Sequence, residues 1–503
     1  MAYSRPGVYI SERLLPATLP GGVTADAAGA VVASFAQGPE TVTLVSSWYE
    51  FTKIFGGYNA SYPATFQVGA FFQNGGRELY VRRILHSNAV AASCSVVNSG
   101  AVATMTFTSK NAGTDGNNLR IVVEDGSTVG DYYTIYVYKE AGVANSITDD
   151  ILLERYENVV TNDITSSDYA ETVINIVSPN ISVDATAAGL TSGSVSGTYP
   201  LTGGSNGSAV VAATYTSYKA TSATVWAGFE SIDRPLVMML PDVNALASAN
   251  SVFDDATSWA ASHNGFVVIG TDPDLTVANA VSFAAGLADT SFAAVYYPHV
   301  YIADPLGRGA GALRKMEPVG AVVGLYLATD AARGVFKAPA GIGSTVQGIV
   351  AVEKAFSSTE LDTMNASTSP VNPIRQIPGA GLSVMGARTL LQDGTANKYV
   401  NMRRSLIYIR KNLQNLTEFA IFENNDERLW TQIRTSINVF LGEYRNQGGL
   451  RGASADQSFF VKCDAENNSA QQIANGEVHI QVGVALQYPA EFIVIDLSQK
   501  TLN

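Results

Sequence analysis

A chain of 503 residues can bury several cores, so two to four domains are expected, and charged residues make up only 15% of it, which is low for a soluble protein. The net charge of −13 argues against wrapping nucleic acid, no apolar run approaches the roughly 18 residues of a membrane span, and the opening MAYSRPGVYISE lacks the apolar segment of an export signal. Cys94 and Cys463 lie far apart without metal-ligand spacing; they read as buried thiols in a reducing compartment, so folding in the cytoplasm is expected.

Residues 7–12 read as a short strand at a chain end, with Val8 and Ile10 alternating with Tyr9 and Ser11, and Pro16, Pro20, Gly21 and Gly22 make a linker behind it. A strand is expected over 28–35, short helices over 47–55 and 64–73, and a strand over 79–85. From about 87 to 215 Ser, Thr, Gly, Asn and Ala dominate, and 4 basic residues stand against 13 acidic ones. Strands are expected there over 102–108, 119–123 and 132–138, a helix over 169–177, and a loop-rich return over 178–208. An acidic, polar, strand-rich block between two core segments reads as an inserted domain facing water. Next, 235–240, 265–269 and 293–297 read as buried strands, and 244–263 and 276–288 as Ala-rich helices, which is the alternation of a three-layer α/β unit.

The last hundred residues carry the clearest patterning. Met402, Leu406, Ile409 and Leu413 recur at helical spacing. A second helix follows, with Asn425 as the expected N-cap and Asp426 and Glu427 in the first turn, where acids suit the positive helix end. Its apolar stripe is Leu429, Trp430, Ile433, Ile437, Phe440, Leu441 and Tyr444, and Gly448-Gly449 stops it. A short strand is expected over 459–463, and Val478, Ile480, Val482, Val484 and Leu486 alternate with polar or small neighbours, as a half-buried strand requires. Phe492, Ile493, Val494 and Ile495 are apolar on both faces close to the last residue, so this run needs a sheet to join, its own or a neighbour's. Residues 370–503 hold 13 basic and 12 acidic side chains, against 18 and 32 in 1–369. The negative excess therefore lies outside the C-terminal third.

Motifs with possible chemistry are few. Ser205, within residues 203–207, matches the G-x-S-x-G nucleophile elbow, but a Ser/Gly/Thr loop is expected before it, and His263, His299 and His479 have no supporting signature. Residues 307–311 look like a phosphate loop but follow Asp304-Pro305 and lack G-K-[ST]. Residues 115–124 scatter calcium-type oxygens without the spacing of a calcium loop. No catalytic residue, cofactor or metal is expected.

The runs RRSLIYIRKNL at 403–413, FAIFENN at 419–425, Trp430, GGLRG at 448–452, FFVKCD at 459–464 and YPAEFIV at 488–494 resemble, in order and spacing, the C-terminal domain of contractile tail sheath proteins. These form the sheath of myovirus tails and of related contractile injection systems. PGVYISE at 6–12 is similar to the family's N-terminal arm, FFQNGGRELYVRRI at 71–84 to its core, and GTDGNNLRIVVEDG at 113–126 to a segment common in sheath insertions. ATDAARGVFKAPAG at 328–341, NPIRQIPGAG at 372–381 and GART at 386–389 add to the likeness.

The resemblance implies an α/β and α+β multidomain fold, a sheath core of mixed sheets and helices plus a β-rich inserted domain. Its parts would be an N-terminal arm and linker (1–22), a first core segment (23–86), the inserted outer domain (87–215), an α/β middle core segment (216–369), a C-terminal inner domain (370–490) and a C-terminal arm (491–503). It also implies a structural subunit without catalysis. Such a subunit polymerises as stacked six-subunit rings around an inner tube and contracts to drive that tube through a target envelope. The setting would be a phage virion tail assembled in the host bacterial cytoplasm, or a bacterial injection apparatus. Implied partners are other copies of the chain, the tail tube protein, and baseplate and tail terminator proteins, with no direct nucleic acid and no membrane insertion. Two groups of residues are expected to make contacts. Val8, Tyr9, Ile10, Phe492, Ile493, Val494 and Ile495 would be intersubunit arms. Arg404, Arg410, Lys411 and Arg434 would face the tube, unless they pair with acidic neighbours in their own domain. The rival of another class is an enzyme built on the α/β unit.

Overall fold

The computed structural model describes residues 26–97, 103–126, 132–140, 150–161, 163–185, 195–218, 224–309, 311–392 and 396–491. They fall into two compact units, one of Asp26–Ile407 with the stretch from Tyr488 onward, the other built on Tyr408–Gln487.

The larger unit is organised around the strand Ala28–Ala33, whose six residues are all buried. Ala28, Ala30 and Val32 point into one core, and Val31 and Ala33 into another. A strand buried on both faces belongs in the middle of a sheet covered by helices on both sides. The sheet has eight strands in the order Gly381–Val384, Val371–Ile377, Ala293–Tyr297, Gly265–Ile269, Leu236–Met239, Ala28–Ala33, Leu79–Arg83, Thr43–Val45. The six inner strands are parallel, and an antiparallel strand closes each edge. The expected strands and the α/β alternation are present.

Helices Trp48–Phe55, Ala64–Gln73 and Val319–Arg333 cover one face. Ser47 caps the first, its hydroxyl accepting from Glu50 N at 3.2 Å. The other two pack with their backbones in close approach. A Cβ on Gly320 would stand 2.0 Å from Gln67 O, and one on Gly324 2.4 Å from Phe71 O. Helices Ala249–Ser262 and Val277–Ala285 cover the opposite face, with Trp226, Phe253 and Trp259 in the core between. A separate three-stranded antiparallel sheet is made by Leu313–Met316, Val300–Ala303 and Ile349–Val352.

Between Ala91 and Pro200 the chain builds two antiparallel sheets. One has four strands in the order Gly197–Pro200, Leu119–Asp125, Tyr133–Lys139, Ile151–Val159; the other has Ala91–Val97, Ala103–Ala112 and Ile181–Ala185. Tyr133, Ile135 and Val137 alternate into a separate core with Phe107, Ile121 and Ile174. The expected loop-rich return over 178–208 is wrong in part, because it contains the strands Ile181–Ala185 and Gly197–Pro200. Ala91–Val97 and Ile151–Val159 were not expected either. Ile181–Ala185 and Gly197–Pro200 are short, and Ala91–Val97 and Ile151–Val159 lie at sheet edges, the first burying only the small Ala92 and Val96 and the second exposing Ile151, Leu152 and Leu153.

In the smaller unit the helix Glu427–Asn446 buries Leu429, Trp430, Ile433, Ile437, Leu441 and Tyr444, with Phe440 half-buried. Its N-cap is Asp426, whose carboxylate accepts from Leu429 N at 2.9 Å, and not Asn425. Asn425 is otherwise engaged: its Oδ1 accepts from Trp430 Nε1 at 2.8 Å and its Nδ2 donates to Glu477 O at 2.8 Å. Phe459–Lys462 pairs antiparallel with Gln481–Val484. The second strand is shorter than the alternation from Val478 to Leu486 predicted. Cys463 is buried, whereas Cys94 is half-buried.

Candidate assembly surfaces

The four basic residues expected to face a tube do not form one exposed row. Arg404 is 3% exposed. Its Nη1 donates to Asp330 Oδ1 at 2.9 Å, its Nη2 reaches Oδ2 of the same carboxylate, and its guanidinium lies 4.9 Å from the Tyr326 ring centre. Arg404 is thus the buried half of an ion pair inside its own unit, which corrects the tube-facing expectation for this residue. Burial raises the Asp330 carboxyl above the ordinary carboxylate value, with Arg404 pulling the other way. Lys411 is buried too, with its Nζ 3.4 Å from Gln414 Oε1, so the same correction applies to it. Arg434 is half-buried and donates to Cys463 O at 3.2 Å. Arg410 alone of the four is exposed.

Of the expected arms, Val8, Tyr9, Ile10, Phe492, Ile493, Val494 and Ile495 lie outside the described residues. The root of the C-terminal run is described. Glu491 accepts from Arg388 Nε at 2.9 Å and Nη2 at 2.7 Å, and from the Tyr399 hydroxyl at 3.2 Å. A forked guanidinium–carboxylate contact of this kind fixes direction as well as position. Arg388 was not singled out from the sequence, although it stands in the GART run at 386–389. The sheet of Phe459–Lys462 and Gln481–Val484 has only two strands among the described residues, and Phe460 is 53% exposed on it.

The motifs discounted for chemistry are structural. Ser205 is exposed; its backbone pairs with Val90, with N–O distances of 2.8 and 2.9 Å, and its hydroxyl accepts from Gly207 N at 3.1 Å. The preceding strand ends at Pro200 and the next helix begins at Ala212, so no strand-to-helix elbow presents the serine. Of the 307–311 run, the described residues 307–309 and 311 lie in the hairpin between Val300–Ala303 and Leu313–Met316, beside the Asp304–Arg314 ion pair at 3.1 Å. His263 stacks on Trp259 at 4.7 Å, and His299 Nε2 lies 2.6 Å from Thr271 O. Among the described residues no three His, Cys, Asp or Glu side chains are grouped to hold a metal ion, and no helix is long and apolar enough to cross a membrane.

Comparison with known proteins places this architecture. Residues 392–500 match the family described as phage tail sheath C-terminal domain. The tail sheath protein of Vibrio phage KVP40 is 24% identical over 178 residues, 35% of this chain and 25% of that protein. That of Salmonella phage ViI is 21% identical over 144 residues, 29% of this chain and 22% of that protein. The matches thus span about a quarter of these relatives' length. Among solved structures, the contracted sheath of an extracellular contractile injection system is similar over 99% of both chains, with a TM-score of 0.56 and 20% identity. The sheath tail protein of Listeria innocua is similar over 93% of this chain and 96% of its own, with a TM-score of 0.61 and 13% identity. The chain therefore carries, over 392–500, a match to the phage tail sheath C-terminal domain, on a fold shared over nearly its whole length with sheath proteins.

Proposed function

We propose that this chain polymerises as stacked six-subunit rings around an inner tube and contracts to drive the tube through a target envelope. The observation that carries the reading is the combination of the C-terminal family match with fold similarity over 99% of a contracted sheath subunit. Its partners are other copies of itself, a tail tube protein, and baseplate and terminator proteins at the ends. The two relatives matched by sequence are both phage proteins, which favours a virion tail over a bacterial apparatus.

The links between subunits are the arms, residues 1–22 and 491–503. Burying Phe492, Ile493, Val494 and Ile495 contributes about 1.5–3 kcal/mol each. Ordering the segment costs about 1–2 kcal/mol per residue, so the arm is favourable only when it joins a sheet. The two-stranded sheet of the smaller unit has edges to offer for such strand addition. The test is electron microscopy with sedimentation of the full chain and of chains lacking 1–12 or 491–503. The full chain should form tubes, and each truncation should stay folded and soluble without polymerising. Normal tubes from the C-terminal truncation would end the arm idea. Aggregation of that truncation would place the strand in its own subunit's core, and a full chain that stays a small oligomer would count against the sheath reading itself.

A further inference from the structure

Just beyond the carboxyl end of Leu236–Met239 the chain turns through Asp242, which holds a left-handed backbone with φ of 66°. For a non-glycine residue that conformation carries strain, which persists where surroundings over-determine it. Here the Asp242 backbone faces the Glu317 carboxyl, and the Asp242 carboxyl faces the Ala64 backbone. Glu317 is 7% exposed. Its Oε1 lies 3.4 Å from Asn244 Nδ2, while its Oε2 is buried with no hydrogen-bond partner, as is Asn244 Oδ1. A Cβ on Gly270 would stand 2.7 Å from Oε2, so the strand Gly265–Ile269 closes the space from another side.

Among the described residues no cation is seen to compensate these two carboxyls. The charged and titratable groups facing them are Asp272 from the loop after Gly265–Ile269 and Tyr215 from the helix Ala212–Thr216. Gln67, from the helix Ala64–Gln73, is neutral and is taken by the Glu317 backbone oxygen at 2.7 Å and by Gly320 N at 3.0 Å. Lys315, two residues from Glu317, is taken by Asp274 at 2.7 Å and Glu353 at 3.0 Å. His299 is held with a lowered pKa by its burial.

We propose that Glu317, with Asp242 beside it, is a proton-binding site that retains its proton at neutral pH, so that acid tightens the sheath subunit and alkali loosens it. A buried carboxylate without a counter-ion is relieved by binding a proton, and the new O–H supplies the donor that this cluster of acceptors lacks. Burial, with the Asp242 charge added, pushes the Glu317 carboxyl up to about 8, and burial pushes Asp242 up to about 6. In the unfolded chain a glutamate sits near 4.5. The folded state therefore binds more protons than the unfolded one between those values. Stability is greatest at the acid end of this window and falls as pH rises through about 8.

The experiment uses the full-length chain, with thermal unfolding from pH 5 to 9 and infrared difference spectra of protonated carboxyls. Wild type should lose melting temperature across this window, whereas Glu317→Gln, a neutral isostere, should be flatter and stand about 5 °C above wild type at pH 9. The spectrum of wild type minus Glu317→Gln at pH 7 should show a protonated-carboxyl band that disappears near pH 8. Asp242→Asn, which removes the neighbouring charge, should move that disappearance to lower pH. Absence of the band in wild type at pH 7 overturns the proposal, as does an unchanged pH slope in Glu317→Gln. If Glu317→Gln does not fold, wild type titrated against Asp242→Asn decides: the same midpoint in both overturns it.

Discussion

Replacing Arg83 by methionine keeps most of the side-chain volume and removes every donor from a site that water does not reach. Arg83 is 0% exposed. Its Nε donates to Phe35 O at 2.9 Å, its Nη1 to Gly38 O at 2.9 Å and Ala112 O at 2.8 Å, and its Nη2 to Ala36 O at 3.3 Å. One guanidinium thus ties the last residue of Leu79–Arg83 to the loop after the central strand and to the β-rich block at Ala112. All four acceptors are neutral carbonyls, and burial lowers the pKa of the guanidinium. In Arg83→Met two of the four carbonyls left dry, at about 1–3 kcal/mol each, give a loss of about 2–6 kcal/mol. Arg83→Lys keeps the charge but reaches fewer acceptors, so it should recover less than half of the loss. The assay is denaturant unfolding of the soluble chain together with amide hydrogen exchange at Gly113, whose N–H donates to Val90 O at 3.1 Å beside this joint. Exchange there should speed up in Arg83→Met before the sheet core responds. A loss under about 1 kcal/mol, below what one dry carbonyl costs, with unchanged exchange, would refute the argument; full recovery by lysine would mean that charge matters and the fork does not.

The remaining basic residues should separate by burial. Arg404→Met leaves Asp330 without its partner and should cost about 3–5 kcal/mol at any salt concentration, whereas Arg410→Glu should keep the fold and weaken assembly on tubes more at low salt than at high, as measured by co-sedimentation. Excising the β-rich block should leave a chain that still builds tubes visible by electron microscopy. Ser87 joined to Ala209 by a short linker is a mild cut, since Asn88 and Ser208 are already bonded at 2.9 and 3.0 Å, and it keeps Tyr215, which packs 6.2 Å from Trp226 in the sheet core. Loss of all tubes from a folded variant would count against an outer location for the block.

The parts legible in the sequence were those in which local pattern and burial agree. AGAVVA, LVMM, GFVVI and AAVYY are continuous apolar runs because helices cover both faces of their sheet. Ile151–Val159 shows why others were not legible: Ile151, Leu152 and Leu153 are 59%, 48% and 38% exposed on an edge strand, so no alternation survives. Ile181–Ala185 does alternate, but over five residues flanked by Ser and Asn, which read as a turn. At the Glu427–Asn446 helix two good capping residues stand side by side, and the choice is made by the Trp430 indole, which takes Asn425. The charges failed for a related reason. Arg404 and Lys411 are seven apart and so share a helix face. That face is buried, and the partner of Arg404, Asp330, is distant in sequence.

The acid pair was illegible because nothing in PDVN or KMEPVG marks it; only the sheet brings the two together. Its position also bears on what this α/β unit can do. Ala28–Ala33 lies where the strand order reverses, with Leu79–Arg83 on one side and Leu236–Met239 on the other, and open parallel sheets ordinarily bind ligands outside the carboxyl ends of the strands at such a point. Here that ground is taken by the protein itself. Gln67 donates to Glu317 O at 2.7 Å and accepts from Gly320 N at 3.0 Å, so a side chain already satisfies an N–H at the start of the Val319–Arg333 helix that a phosphate would otherwise use. Gly320 and Gly324 let the two helix backbones close over the site, and any anion entering would meet Asp242 and Glu317. The switch point serves to lock two helices onto the sheet, with side-chain and backbone groups of the protein in the place where such sheets ordinarily hold a ligand.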